Sequence, residues 1–189
     1  MQSTWTESGD DSLCSVVLQD YDPEWVRQFE VDRERIVGAL GERAKRVEHV
    51  GSTSILGMKA KPIIDIAVAV DSFSAVDDDA IVRLREIGYE FVPKVEFPGR
   101  RFFRRGTWGA GTHHLHLYED GSPSWENILL FRDHLREHPD KASEYMALKE
   151  RLAQMTGDRQ TYTDLKGPFV ESVVRQARVA ALSEPGRIT

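Results

Sequence analysis

One carboxylate, Asp65, interrupts an otherwise apolar run at residues 62–70, and that interruption constrains the chain more than any other feature. The run of Ile, Val and Ala reads as a buried strand. An ionised aspartate inside it is costly unless it is paired, hydrogen-bonded or bound to metal. Just upstream, a short apolar segment with Val47 and Val50 breaks at Gly51-Ser52-Thr53-Ser54, and a small-residue linker then carries Lys59 and Lys61. Hydroxyls and backbone N–H groups in a Gly-Ser turn, two lysines and an acid on the next strand suit a phosphate-plus-cation site. The same residues also fit a plainer reading, a buried aspartate capping nearby backbone behind a turn that is only a turn.

Metal-assisted phosphoryl or nucleotidyl transfer wants carboxylates, because hard cations take oxygen ligands. The usual pair sits two apart on one strand face, but Ile63 and Ala67 occupy those positions around Asp65. Glu48 on the preceding strand is a candidate second carboxylate, and a solvated edge glutamate fits it equally well. His114 and His116 alternate with Leu115 and Leu117 on a strand at 113–118, so both imidazoles share one face and His113 takes the other. Two partly exposed surface histidines are the plainer account. His49, beside the Gly-Ser turn, is a third candidate, and an aspartate with two or three histidines favours a transition metal over Mg²⁺.

Two cationic sets remain. In the segment Arg101-Phe102-Phe103-Arg104, alternation puts Arg101 and Phe103 on one face and Phe102 and Arg104 on the other. These arginines offer phosphate anchors, or simply a basic hairpin against an acidic protein. Tyr145 with Lys149, and Tyr162 with Lys166, are each spaced i, i+4, which stacks tyrosine and lysine on one helix face. That is a cationic wall above a nucleotide, or amphipathic helices with snorkelling lysines.

The wider chain reads as a strand at 15–18, a helix at 22–41, the central strand–turn–strand unit, a helix at 77–88, and strands at 89–92, 101–104 and 113–118. Helices at 127–137, 141–156 and 163–182 follow. This order predicts an α+β fold: a small mixed sheet with helices on one face and at one end, extended by C-terminal helices. Residues 1–12 read as a disordered tail and 13–183 as one domain, sheet-rich over 13–120 and helical over 121–183. A net charge of −6 argues against a dedicated nucleic-acid binder. The sequence has no run long and apolar enough for a membrane span and no signal-peptide pattern, so a cytoplasmic location is expected. The lone Cys14 cannot form an internal disulfide.

The run V-E-H-V-G-S-T-S-I-L-G-M-K-A-K-P-I-I-D-I resembles the signature of the GrpB-like (UPF0157) family. Y-D-P-E-W, H-L-H-L, N-I-L-L-F-R-D-H-L, Y-M-A-L-K and Y-T-D-L-K extend the resemblance over about residues 16–177. It implies a nucleotidyltransferase-superfamily fold, in which a Gly-Ser turn holds a nucleoside triphosphate and strand carboxylates hold Mg²⁺. Gly51 and Ser52 match that turn and Asp65 matches one acid. The chain departs from the pattern at Ala67, where the second acid belongs, and the strand of the third acid matches the one carrying His114 and His116.

The expectation is a nucleotidyltransferase-like enzyme acting on a nucleoside triphosphate or another phosphorylated small molecule. Gly51, Ser52 and Thr53 cradle phosphate, with Ser52 and Asp65 as the catalytic pair. Asp65, His114, His116 and Glu48 hold a divalent metal, Mg²⁺ or Mn²⁺ foremost and Zn²⁺ as the alternative. Lys59, Lys61, Arg101, Arg104, Lys149 and Lys166 offset phosphate charge. Two other classes compete: a non-catalytic nucleotide-binding module that lost the acid pair, and a metal-dependent enzyme acting on a non-nucleotide small molecule.

Overall fold

A computed structural model of the chain describes residues 16–107, 110–156 and 158–183. The expected tail at 1–12 lies outside the described residues. Among the described residues five strands form one mixed sheet: β1 (Arg46–Val50), β2 (Ile64–Val70), β3 (Glu90–Val92), β4 (Arg101–Thr107) and β5 (Ala110–Glu119), in the order β1-β2-β5-β4-β3. Only β2 and β5 run parallel, and they are the two central neighbours on which the site is built.

One sheet face is the main core. Ile64, Ile66, Val68, Phe103, Leu115 and Leu117 pack there against helices α1 (Glu24–Leu40) and α2 (Asp78–Glu86). Pro23 leads into α1, and the Asp22 carboxylate accepts the Glu24 amide at 2.9 Å. Trp25, Phe29, Ile36 and Leu40 then recur at helical spacing and are buried. In α2 the Asp77 side chain accepts the Ala80 amide at 2.9 Å, which starts the helix.

The second face is covered in part. Helix α3 (Pro123–Glu137) sets Trp125 over Val50, Ala67, Ala69 and Tyr118, so helices flank both faces and not one face alone. The helix begins four residues earlier than 127 because Ser122 caps it, accepting the Trp125 amide at 3.3 Å, and Pro123 suits its first turn. Helix α4 (Pro139–Met155) follows. The stretch expected as one helix at 163–182 is two, α5 (Arg159–Asp164) and α6 (Gly167–Ser183). Asp158 caps α5 by accepting the Thr161 amide; the chain turns at Leu165-Lys166, and Pro168 sits in the first turn of α6, where its missing N–H costs no helical bond.

The strand expected at 15–18 does not form over residues 16–18. The β2 edges are taken by β1 and β5, and the chain instead makes an isolated antiparallel bridge, Gln19 to Ala60. Val16 is buried against Leu152 of α4 and Tyr162 of α5, so its apolar character serves helix packing. Among the described residues, no helix is long and apolar enough to cross a membrane.

Candidate metal and phosphate site

Parallel pairing of β2 with β5 sets Asp65 beside His114 and Ala67 beside His116, on the face that α3 only partly covers. His114 Nδ1 lies 3.1 Å and His116 Nε2 3.5 Å from Asp65 Oδ1. One donor atom from each of these three residues falls within 4.8 Å of the others, which fits a single cation. Burial by itself would raise the Asp65 carboxyl. Hydrogen bonds and charge from His114 and His116 win, and hold it well below the usual carboxylate range. Burial lowers His116 below its ordinary value, against the pull of Asp65.

The Gly-Ser turn closes one side of this cluster. Gly51 has φ +69° and ψ −173°, a conformation essentially reserved for glycine. A Cβ built there would overlap the Asp65 carboxylate, so the absent side chain is what lets the turn approach the acid. Ser52 then meets α4: Lys149 Nζ donates to Ser52 Oγ at 3.1 Å and also to the Lys59 carbonyl. Lys149 is buried, and burial, with the charge of Lys166 added, brings it down to about 7. Lys166 and Lys61 flank the Tyr162 ring at 4.5 and 4.6 Å from its centroid. Arg104 pairs in register with His114, so it occupies the opposite flank of the same face.

The GrpB protein family model matches residues 15–176. This chain belongs to that family. A GrpB relative, the UPF0157 protein YqkA of Bacillus subtilis, is 39% identical over 163 residues, covering 84% of this chain and 46% of the relative. The chain therefore spans about half the length of that protein. The crystal structure of the conserved protein GrpB from Enterococcus faecalis aligns with a TM-score of 0.77 at 37% identity, over 85% of this chain and 96% of that one. The Cid1 poly(U) polymerase with Mg 3′-dATP bound aligns with a TM-score of 0.50 at 13% identity, over 72% of this chain and 43% of that one, a likeness of fold alone. The sheet and helices of this chain thus share their fold with that polymerase.

Within this GrpB fold several expected site residues stand elsewhere. Glu48 shares the Asp65 face, but its carboxylate meets Arg132 of α3 at 2.7 Å and is not part of the three-donor set. His49 projects to the opposite face, stacks on Phe29 with 4.7 Å between ring centroids, and is brought down to about 4 by burial. Thr53 is buried with it: its hydroxyl lies 3.0 Å from His49 Nε2 and donates to the Ile63 carbonyl, so it braces the turn from behind. Lys59 reaches Glu150 at 3.2 Å and Asp20 at 3.6 Å on the surface. Arg101 donates to the Val76 carbonyl at 2.7 Å on the α1–α2 face, where its alternation with Phe103 directs it. The set that converges on Asp65 is therefore Gly51, Ser52, His114, His116 and Lys149, with Lys166 and Arg104 at its flanks.

Sequence reasoning missed a second polar cluster. Asp32 of α1, 1% exposed, receives Arg105 Nη1 at 2.6 Å, His113 Nε2 at 2.7 Å and the Tyr89 hydroxyl at 3.3 Å. The available signal was an acid at the inward spacing of Phe29 and Ile36.

Proposed function

We propose that this protein binds a nucleoside triphosphate, or a closely similar phosphorylated small molecule, together with one divalent cation, and transfers its nucleotidyl or phosphoryl group to a second substrate. The observation that carries this reading is a buried lysine, Lys149, bonded to Ser52 Oγ in a glycine turn that abuts the acid of a three-donor Asp/His set.

Ser52 and the backbone of its turn would take phosphate oxygens, with Lys149, Lys166 and Lys61 offsetting their charge. Asp65, His114 and His116 would hold the cation, which when bound supplies charge stabilisation at the phosphorus oxygens. One carboxylate and two imidazoles suit Mn²⁺ or Zn²⁺ better than Mg²⁺, which prefers an all-oxygen shell. In the transfer a bond forms from the acceptor oxygen to phosphorus. The bond to the bridging oxygen breaks, pyrophosphate leaves in nucleotidyl transfer or the nucleoside diphosphate in phosphoryl transfer, and the acceptor proton passes to solvent.

A second reading has its own support. Ala67 is fully buried beneath Trp125, so β2 offers no room for a second acid, and this favours a module that binds the nucleotide without turning it over. Calorimetric titration of ATP, GTP and CTP with and without Mg²⁺, Mn²⁺ or Zn²⁺, on wild type and Asp65→Ala, separates the readings. Transfer predicts metal-dependent nucleotide binding, release of pyrophosphate or of the nucleoside diphosphate, and at least about 100-fold weaker cation binding in Asp65→Ala, beyond the range usual for outer-shell changes. Metal-independent binding with no turnover favours the module.

Lys149 gives this reading a pH signature. Only its ammonium form attracts phosphate, so above about pH 7 binding must take up a proton. Affinity for a triphosphate is expected to fall by up to about tenfold per pH unit there. In Lys149→Met the affinity is lower throughout and that fall is absent. An unchanged slope would assign the titration to another group.

A further inference from the structure

Arg100, at the head of β4, has no part in the scheme above; its side chain bonds the Tyr118 hydroxyl, which does not balance its charge. Its guanidinium carbon sits 4.9 Å from the centroid of the Phe97 ring and 5.5 Å from that of Phe102, so two aromatic faces hold it in place. Its Nε is cut off from solvent and has no hydrogen-bond partner. Among the described residues, no carboxylate lies within 4 Å of it, in contrast to Arg105 and Arg132. A guanidinium whose Nε is shut off from solvent without an acceptor, and whose charge meets no carboxylate, calls for a reason.

Its neighbours belong to the same sheet face as Asp65. Phe102 pairs in register with His116, with 5.2 Å between their ring centroids. His116 Nδ1 is likewise buried without a partner. Burial raises the Tyr118 hydroxyl while the charge and a side-chain hydrogen bond of Arg100 pull it down, which places the guanidinium against the next site-facing residue of β5. Arg100 therefore stands on the β4 side of the Asp65 cluster, and Ser52 with Lys149 on the β1 side. The loop that carries Phe97 also presents Val95, 89% exposed, and Phe97 itself is half exposed, so the position is open to a small molecule.

We propose that Arg100, framed by Phe97, Phe102 and Tyr118, is an anion subsite for the second substrate, a small molecule bearing an oxyanion next to a flat or apolar group. The inference rests on the two-substrate reading of the Asp65 site and extends it: the phosphates of the donor lie on Ser52 and Lys149, and the anion of the acceptor lies across the cluster on Arg100. The aromatic frame selects a group that can lie against a ring face, and the guanidinium selects a carboxylate or phosphate.

The test uses phenyl phosphate and benzoate as probes, titrated into the full chain alone and in the presence of saturating ATP and Mn²⁺. Binding of either probe in both conditions is expected, with phenyl phosphate alone marking a phosphate site and both marking a general oxyanion site. Arg100→Leu should weaken the probe about 10- to 100-fold, the range of a charge-assisted hydrogen bond, while Arg100→Lys keeps part of the affinity. Cation binding at Asp65 should stay within about twofold in both variants, which reports an intact fold. Displacement of the probe by ATP, or equal probe affinity in wild type and Arg100→Leu, overturns the proposal. Failure of ATP to bind while the Arg100-dependent probe still binds would instead overturn the nucleotide reading and leave the anion subsite standing.

Discussion

Asp32→Ala protein is expected to be less stable than wild type by about 3–5 kcal/mol, the cost of removing one partner from a buried ion pair. Asp32 is 1% exposed and serves Arg105, His113 and Tyr89 at once, so its loss strands the part-buried Arg105 guanidinium and unties α1 from the β4–β5 hairpin. Burial would raise this carboxyl, but bonds from His113 and Arg105 prevail and lower it. A lowered carboxyl contributes stability that is full above its unfolded value, about 3.9, and disappears as pH falls through the folded value. The gap between wild type and Asp32→Ala should therefore be widest near neutral pH and shrink below about pH 4. Urea unfolding at several pH values measures it. Because the cost arises from stranded charge, adding Arg105→Met to Asp32→Ala should recover part of the loss, and a double-mutant cycle with no coupling would dismiss the network.

Gly51→Ala is expected to do the greatest damage to the site. The backbone conformation, φ +69° with ψ −173°, costs a residue with a side chain about 1–3 kcal/mol. The new methyl group also meets the Asp65 carboxylate, which must leave its position against His114 and His116. Thermal unfolding should register the first effect. Cation titration should register the second as a loss of at least about tenfold, since misplaced ligands weaken a metal site even when all are present. A variant that melts lower but binds the cation like wild type would mean that Asp65 can shift without consequence, and the turn would lose its assigned role.

How far the sequence foretold this arrangement depends on the range of the interaction. Local devices were legible: the helix expected at 77–88, the two-residue period of His114 and His116, and the break of the first strand at Gly51-Ser52. The face of each residue on a strand was also legible, and Arg101 is a clear case, since its alternation with Phe103 already sent it away from Arg104. The partners were not. Glu48 reads as a possible ligand until Arg132, 84 residues later, arrives to claim it. Asp32 and Arg105 stand 73 residues apart, and neither shows its dependence on the other. Thr53 looked equivalent to Ser52, because a turn of small polar residues does not declare which hydroxyl faces the cleft. Periodicity reports direction relative to a neighbour in sequence, whereas pairing of charge is decided by which strands become adjacent.

Strand β5 answers to two masters. Its His113 belongs to the Asp32 cluster under α1, while His114 and His116 serve Asp65 on the far side. Sliding the strand by one residue would exchange the two sets, presenting Leu115 to the cleft and His114 to the core. The irregular register between Arg105 and Gly106 is the tooth that stops such a slide. Evolution of the cleft is consequently leashed to the strength of the fold: an insertion or deletion that retunes one end of this strand would dismantle the other, so new chemistry here must come by exchanging side chains in place.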